Sequence, residues 1–399
     1  MTRSLPRPPV AGILGCLTLL AIGWTGLLVP SLIRSIELTF DQNDAGIGLF
    51  YLVYSAIYAL GSFGGGPATE RVGRRTILVG AATLHGLGIS ALGLAGTWEA
   101  FLLAGVPAAL GAGALDGGSN GLFLDLFRTG RGRAMNLLHL FFSLGALSAP
   151  LVVGSLVAAG VPWQRVVVAS GLLLLPLAVG YLLAPMPGGR RDASAMPADA
   201  ASRTGLGPRL LSGPLLLLGI AIACYVASEI GISNWLVRFL EPAPLTTATL
   251  ALSLYWGGIA VGRLLSSAIA DRFDHVRFTA ACAAGMAATI AAAVAVPSLP
   301  LSIALFAVAG VASGPVFPMI VALGGERYPE RSAAVGGLLT GLAVVGGLIY
   351  PPFMGVLSVT VGLPIAMGGN ALLALACMAA LLAFGRRPRA VREADPTPA

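Results

Sequence analysis

Apolar runs of about twenty residues recur along almost the whole chain, and a run of that length laid as a helix crosses the hydrocarbon core of a bilayer. In lipid every backbone N–H and C=O must be satisfied within the structure, which leaves helices or closed barrels. The runs are continuous rather than alternating, which argues for helices. Twelve spans are read, at residues 11–33, 46–69, 76–96, 99–127, 134–160, 163–185, 214–240, 246–270, 277–296, 299–324, 332–358 and 363–384. Only 10% of the residues are charged, against about 25% in a soluble domain, so the expected fold class is an all-α membrane protein with almost no soluble part. Arg3 and Arg7 precede the first run as in a leader peptide. No small-x-small site leads into a polar region, so the run reads as a retained span.

Arginine gives the orientation. The chain has no lysine. Its arginines gather in the two tails and in every second loop: Arg71, Arg74 and Arg75; Arg128, Arg131 and Arg133; Arg190, Arg191, Arg203 and Arg209; Arg272 and Arg277; Arg327 and Arg331. The opposite loops hold only Arg34, Arg165 and Arg238. The positive-inside rule then puts both termini in the cytoplasm, in a multi-pass protein of the cell (inner) membrane. The net charge of +7 thus describes topology, and no nucleic-acid partner is implied. Cys16, Cys224, Cys282 and Cys377 fall in separate spans and suggest neither a disulfide framework nor a metal site. There is no G-x-x-x-x-G-K-[ST] and no H-E-x-x-H, so no enzyme and no cofactor is read.

The chain is built twice. Residues 186–213, rich in Ala, Gly, Pro and Ser, read as a cytoplasmic linker between a first bundle, 1–185, and a second, 214–385, with a tail at 386–399. The halves echo one another: "TERVGRR" with "ADRFDHVR", "LGAGALD" with "AGVASGP", "RGRAMN" with "PERSAAV". Two parallel six-span repeats point to a transporter with its substrate site between the halves, near mid-membrane.

The segment "GPATERVGRR", Gly66 to Arg75, resembles the signature between the second and third spans of the major facilitator superfamily, with Glu70 where Asp is usual. The resemblance implies a gate at the cytoplasmic helix ends made by Glu70, Arg71, Gly73, Arg74 and Arg75, with Asp125 as a further partner. It says nothing of the substrate.

Substrate chemistry must come from polar groups inside the spans, where a carboxylate is costly and usually functional. Two lie near mid-span. Asp116 is ~25 Å along the fourth helix at the α-helical rise, with Asn120 one turn on. Glu229 lies in the seventh, with Tyr225 a turn before it, Ser233 a turn after, and Asn234 and Trp235 beyond. Burial favours the protonated form of such an acid, so Asp116 and Glu229 are read as proton-coupling groups. Trp24, Trp235, Tyr255 and Trp256 offer flat apolar faces for a substrate ring. Arg263, near the cytoplasmic end of the eighth span, and His85 in the third read as structural.

"GALDGGSN", "RAMNLLHLFFSLGALSAP", "YVASEIGISNWL" and "YWGGIAVGRLLSSAIADRF" together resemble the fucose/galactose/glucose–proton symporter branch of that superfamily. The resemblance implies a sugar-like substrate and protons as partners, with Asp116 and Glu229 as the recurrent acids and Asn120 and Asn136 as recurrent amides. His139 stands where that branch often has Gln. One departure is plain: residues 11–33 hold no acid, whereas the fucose transporters use one in the first span. The other reading kept open is a drug/proton antiporter, whose G-P-x-x-G-G mark is half present as Pro150 and Gly154 in "GALSAPLVVG". A monomer is expected.

Overall fold

The computed structural model describes residues 10–127, 131–186 and 213–387. The expected linker and C-terminal tail lie almost wholly outside the described residues. Among those described, every element is helical, and twelve spans are long and apolar enough to cross a membrane: α1 (Val10–Phe40), α2 (Asp44–Gly65), α3 (Arg74–Leu94), α4 (Trp98–Leu126), α5 (Ala134–Ala158), α6 (Trp163–Leu183), α7 (Gly213–Phe239), α8 (Leu245–Arg272), α9 (His275–Ala295), α10 (Leu299–Arg327), α11 (Ala334–Val361) and α12 (Leu363–Gly385).

Local chemistry sets several helix ends. Asn43 caps the start of α2, its side-chain oxygen accepting from the amides of Ala45 and Gly46 at 3.1 and 3.2 Å. The α2 helix runs on to Val72 and is followed at once by α3; Gly73 turns the chain between them with φ 89°, a left-handed conformation that needs glycine. α10 is interrupted at Gly314 and Pro315, and α6 between Leu172 and Leu175.

The largest departure from the sequence reading is α1. Its apolar run ends near residue 33, yet the span continues to Phe40, with a break at Leu27. The added turns carry Arg34 and Glu37, and both are accommodated by partners on α7 and the loop after it. Arg34 donates to the carbonyls of Val237 and Ala243, and Glu37 pairs with Arg238.

Glycines bring the helices close enough for backbone-to-backbone packing, as membrane interfaces favour. Within the first half α1 packs on α5 and α2 on α4; within the second, α7 packs on α11 and α8 on α10. The correspondence is residue by residue: a Cβ on Gly113 would strike the Tyr58 carbonyl, and one on Gly310 would strike that of Tyr255. Gly61 abuts Leu110 as Gly258 abuts Ala307, at the same sequence offset. The halves meet along α2 and α11, along α5 and α8, and where the end of α1 meets α7.

Candidate transport site and gates

The two acids expected to matter sit on opposite halves. Asp116, half-buried on α4, accepts a hydrogen bond from the Asn120 side-chain amide at 3.0 Å. The Tyr58 hydroxyl of α2 lies against the same carboxyl, brought there by the close packing of Gly113 on the Tyr58 backbone. The Asn120 carbonyl oxygen is buried and has no partner among the described residues. An acid, a phenol and an amide thus converge on one patch of the first half.

Glu229, buried on α7, accepts from the Tyr225 hydroxyl one turn earlier at 2.8 Å. Arg263 of α8 is the cation that faces it. The Arg263 guanidinium also donates to Ser143 on α5 at 2.9 Å, so it bridges the two halves, and it lies near His139 on the same helix as Ser143. Position in the sequence puts Arg263 near a helix end; the fold turns it inward between the halves. The sequence reading named Arg263 only as a structural residue that pairs with an acid, and did not name Tyr58. Tyr51, Tyr54 and Tyr58 recur at helical spacing in "YLVYSAIY", a one-face signal that could have identified Tyr58.

The remaining expected residues divide. Trp256 is buried, donates to Ser233 at 2.9 Å and meets Phe142 of the other half edge-on at 5.7 Å. Tyr255 is fully buried, and its hydroxyl faces Ser313. Trp24 donates to Ser170 at 3.0 Å. Trp235 is fully buried, donates to the Pro351 carbonyl at 2.8 Å and stands edge-on to Tyr51, which makes it part of the seam between halves. The Asn234 carbonyl accepts from Tyr51 at 3.2 Å. Asn136 is exposed near the start of α5. His85 is buried between the Ala108 carbonyl and the Thr25 hydroxyl at 2.7 and 2.9 Å, a packing role.

At the end carrying the basic loops, Arg74 is buried and forms an ion pair with Asp125, joining α3 to α4. Arg75 donates to the Ala184 carbonyl at 2.9 Å, and Arg71 is exposed. The side chain of Glu70 lies outside those described. The opposite end carries the ion pairs that join the halves: Arg238 contacts Glu37 at 3.1 Å and Asp44 at 2.8 Å, and Ser358 of α11 donates to Asp44.

The sequence profile of the Major Facilitator Superfamily matches residues 12–243 and 217–399. A putative glucose/galactose transporter of Helicobacter pylori is 31% identical over 144 residues, 35% of this chain and 34% of that protein. The glucose/galactose transporter of Brucella abortus is 29% identical over 184 residues, 43% of this chain and 41% of that protein. The chain thus covers well under half the length of these relatives. Among solved structures, a bacterial homologue of the human lysosomal transporter Spinster, inward-facing and occupied, aligns over 96% of this chain and 98% of its own, with a TM-score of 0.78 and 16% identity. A D-xylose–proton symporter aligns over 95% and 98%, with a TM-score of 0.75 and 16% identity. At that identity the likeness is one of fold.

Proposed function

Since the chain belongs to the Major Facilitator Superfamily, we propose that it carries a small polar solute of the hexose class across the membrane by alternating access, coupled to protons. One observation carries the reading. The two halves each present a carboxyl group to the interior, set among hydroxyl and amide groups: Asp116 with Tyr58 and Asn120, Glu229 with Tyr225. Polyhydroxylated rings are bound by such groups, which donate to and accept from sugar hydroxyls. The names of the two partial relatives agree with this class.

The roles divide as follows. Asp116, half-buried on α4, exchanges the proton with water as the cavity faces each side in turn. Glu229 accepts from substrate hydroxyls, and Arg263 holds its charge in place. Asn120, Asn136, His139 and Asn234 supply further polar contacts, with Trp24, Tyr255, Trp256 and Trp235 as apolar faces and packing. Glu70, Arg71, Gly73, Arg74, Arg75 and Asp125 form the cytoplasmic gate, and the Arg238 cluster closes the outer side. The protein acts as a monomer in the inner membrane, with both termini cytoplasmic and no cofactor.

The test is uptake by proteoliposomes. With an inward pH gradient, labelled glucose or galactose should accumulate above its outside concentration, and a protonophore should abolish the accumulation. Failure of both sugars to move, with proton-driven transport of a lipophilic cation instead, would replace this reading with the drug/proton antiporter.

A further inference from the structure

Where α1, α2, α7 and α11 meet at the end away from the basic loops, five charged side chains are crowded together: Arg34, Glu37, Asp44, Arg238 and Glu241. Their contacts are uneven. Arg34 spends its guanidinium on backbone, donating to the Val237 carbonyl at 2.7 and 3.0 Å and to the Ala243 carbonyl at 2.8 Å. Arg34 also faces Glu37, three residues along its own helix, while Arg238 meets all three carboxylates. The Arg238 Nε lies 2.8 Å from Asp44 Oδ1 and 3.1 Å from Glu37 Oε2, and its Nη1 pairs with Glu241 at the exposed rim.

The Glu37 and Asp44 side chains are only 10% and 6% exposed. They converge on the same nitrogen atom, Arg238 Nε. Two carboxylates held this close in a buried site do not both stay ionised unless the surroundings supply enough positive charge. Here the cluster has two cations, Arg34 and Arg238, against three anions, one positive charge short of balance. Asp44 is well served, accepting from Arg238 and from Ser358. Glu37 is not; its Oε1 is buried and without a hydrogen-bond partner among the described residues. A lone buried carboxylate oxygen is expensive, and a proton would remove the surplus charge and supply the donor that the two carboxyls lack.

We propose that Glu37, held beside Asp44 and Arg238, is a proton-binding latch, holding a proton while the halves are closed at this end and releasing it to water when they part there. The contacts explain the link to movement. Asp44 and Glu37 belong to the first half, whereas Arg238, Glu241 and Ser358 belong to the second, so separation breaks Arg238–Glu37, Arg238–Asp44 and Ser358–Asp44 together. The Tyr51 hydroxyl, which faces the same two acids and donates to the Asn234 carbonyl, is released in the same step. Once hydrated, each carboxylate is stable ionised and the proton leaves; Arg238 keeps Glu241, three residues along its own chain. Closing takes the proton up again. The latch lies at a different place from Asp116, and no acid of residues 11–33 is needed for it; it rests on the alternating-access reading above.

By linkage, a form that binds one more proton gains population as pH falls, by at most about tenfold per pH unit. The experiment places spin labels at Leu38→Cys on α1 and Val361→Cys on α11, both exposed, in a background with the four native cysteines replaced, in lipid nanodiscs. In the wild-type latch the ratio of short to long distances should fall as pH rises, approaching that tenfold slope. Glu37→Gln, a neutral mimic of the protonated acid, should be closed and flat with pH, and Asp44→Asn should be flat as well. A pH slope that survives unchanged in both variants overturns the latch. So does a distance that glucose or galactose shifts but pH does not, with the transport reading intact. A distance that neither sugar nor pH moves overturns both.

Discussion

The two halves place a tyrosine at the same point of the same helix contact and put different chemistry beside it. In the first half Tyr58 on α2 faces Asp116 on α4; in the second, Tyr255 on α8 faces Ser313 on α10, at the same sequence offset. The surroundings differ as well. Asp116 is half-buried and bonded to Asn120, whereas Ser313 is fully buried and donates to the Ala309 carbonyl at 2.7 Å. The other acid shows the reverse asymmetry. The Leu20 carbonyl meets Gly145 as the Ala223 carbonyl meets Gly346; six residues further along each helix stand Gly26 and Glu229. Among the described residues each half therefore keeps one acid near mid-span, on non-equivalent helices. The repeat supplies the scaffold and its close packing, and the chemistry is distributed between the copies.

If that division of labour is real, the acid in the first half cannot be spared or moved. Asp116→Asn should reduce pH-gradient-driven accumulation at least about a hundredfold while leaving sugar exchange at equal pH, because exchange needs no net proton movement. Adding Ser313→Asp should restore nothing and should lower the unfolding temperature in detergent. That site is fully buried, between the Tyr255 ring and the Ala309 carbonyl, and a carboxyl placed there without a partner carries a large desolvation cost. Recovery of uphill transport in the double variant would show the halves to be interchangeable and break the comparison.

The second acid sharpens it from the substrate side. Glu229→Gln keeps the shape and the Tyr225 contact but loses the charge-assisted bonds that sugar hydroxyls would donate. Calorimetric titration should show binding weakened tenfold to a hundredfold, or about 1.4–2.8 kcal/mol, with deoxy analogues losing a similar amount on the wild type. A variant with unaltered affinity would assign Glu229 to the proton step, beside Asp116.

Which of these features was legible in the sequence follows from the range of the forces involved. Span number and the repeat are local properties of hydrophobic runs, and the structure has twelve spans as read. The Arg74–Asp125 pair was legible in part: the motif fixes Arg74 at a helix end, and Asp125 was read as a further partner of a Glu70–Arg74 gate. The end of α1 was not, since Arg34 and Glu37 look like the polar edge of a span until Val237, Ala243 and Arg238 are brought to them from the other half. Arg263 was read as a structural residue that pairs with an acid; which acid, and its bond to Ser143 of the other half, only tertiary packing reveals. Tyr58 was lost to its own amphipathic nature, counted as apolar in a run whose one polar atom matters.

The smallest effect is the most discriminating, because it compares the two tyrosines directly. Tyr255→Phe removes a buried hydroxyl that faces only Ser313, a neutral group whose own proton goes to the Ala309 carbonyl. Deleting so weakly bonded a group and leaving the ring in place is close to neutral, so unfolding temperature and transport should stay near wild type, within about 0.5 kcal/mol. Tyr58→Phe deletes a hydroxyl that lies against a carboxyl, where a hydrogen bond contributes about 1 kcal/mol or somewhat more. Asp116 is then left to Asn120 alone and holds its proton differently. The pH at half-maximal gradient-driven uptake should move in Tyr58→Phe and stay fixed in Tyr255→Phe, with equal sugar affinity in both. Paired pH profiles of the two variants in proteoliposomes measure this. Equal shifts would mean that the tyrosines do the same work and that the asymmetry between Asp116 and Ser313 is not what sets the proton step.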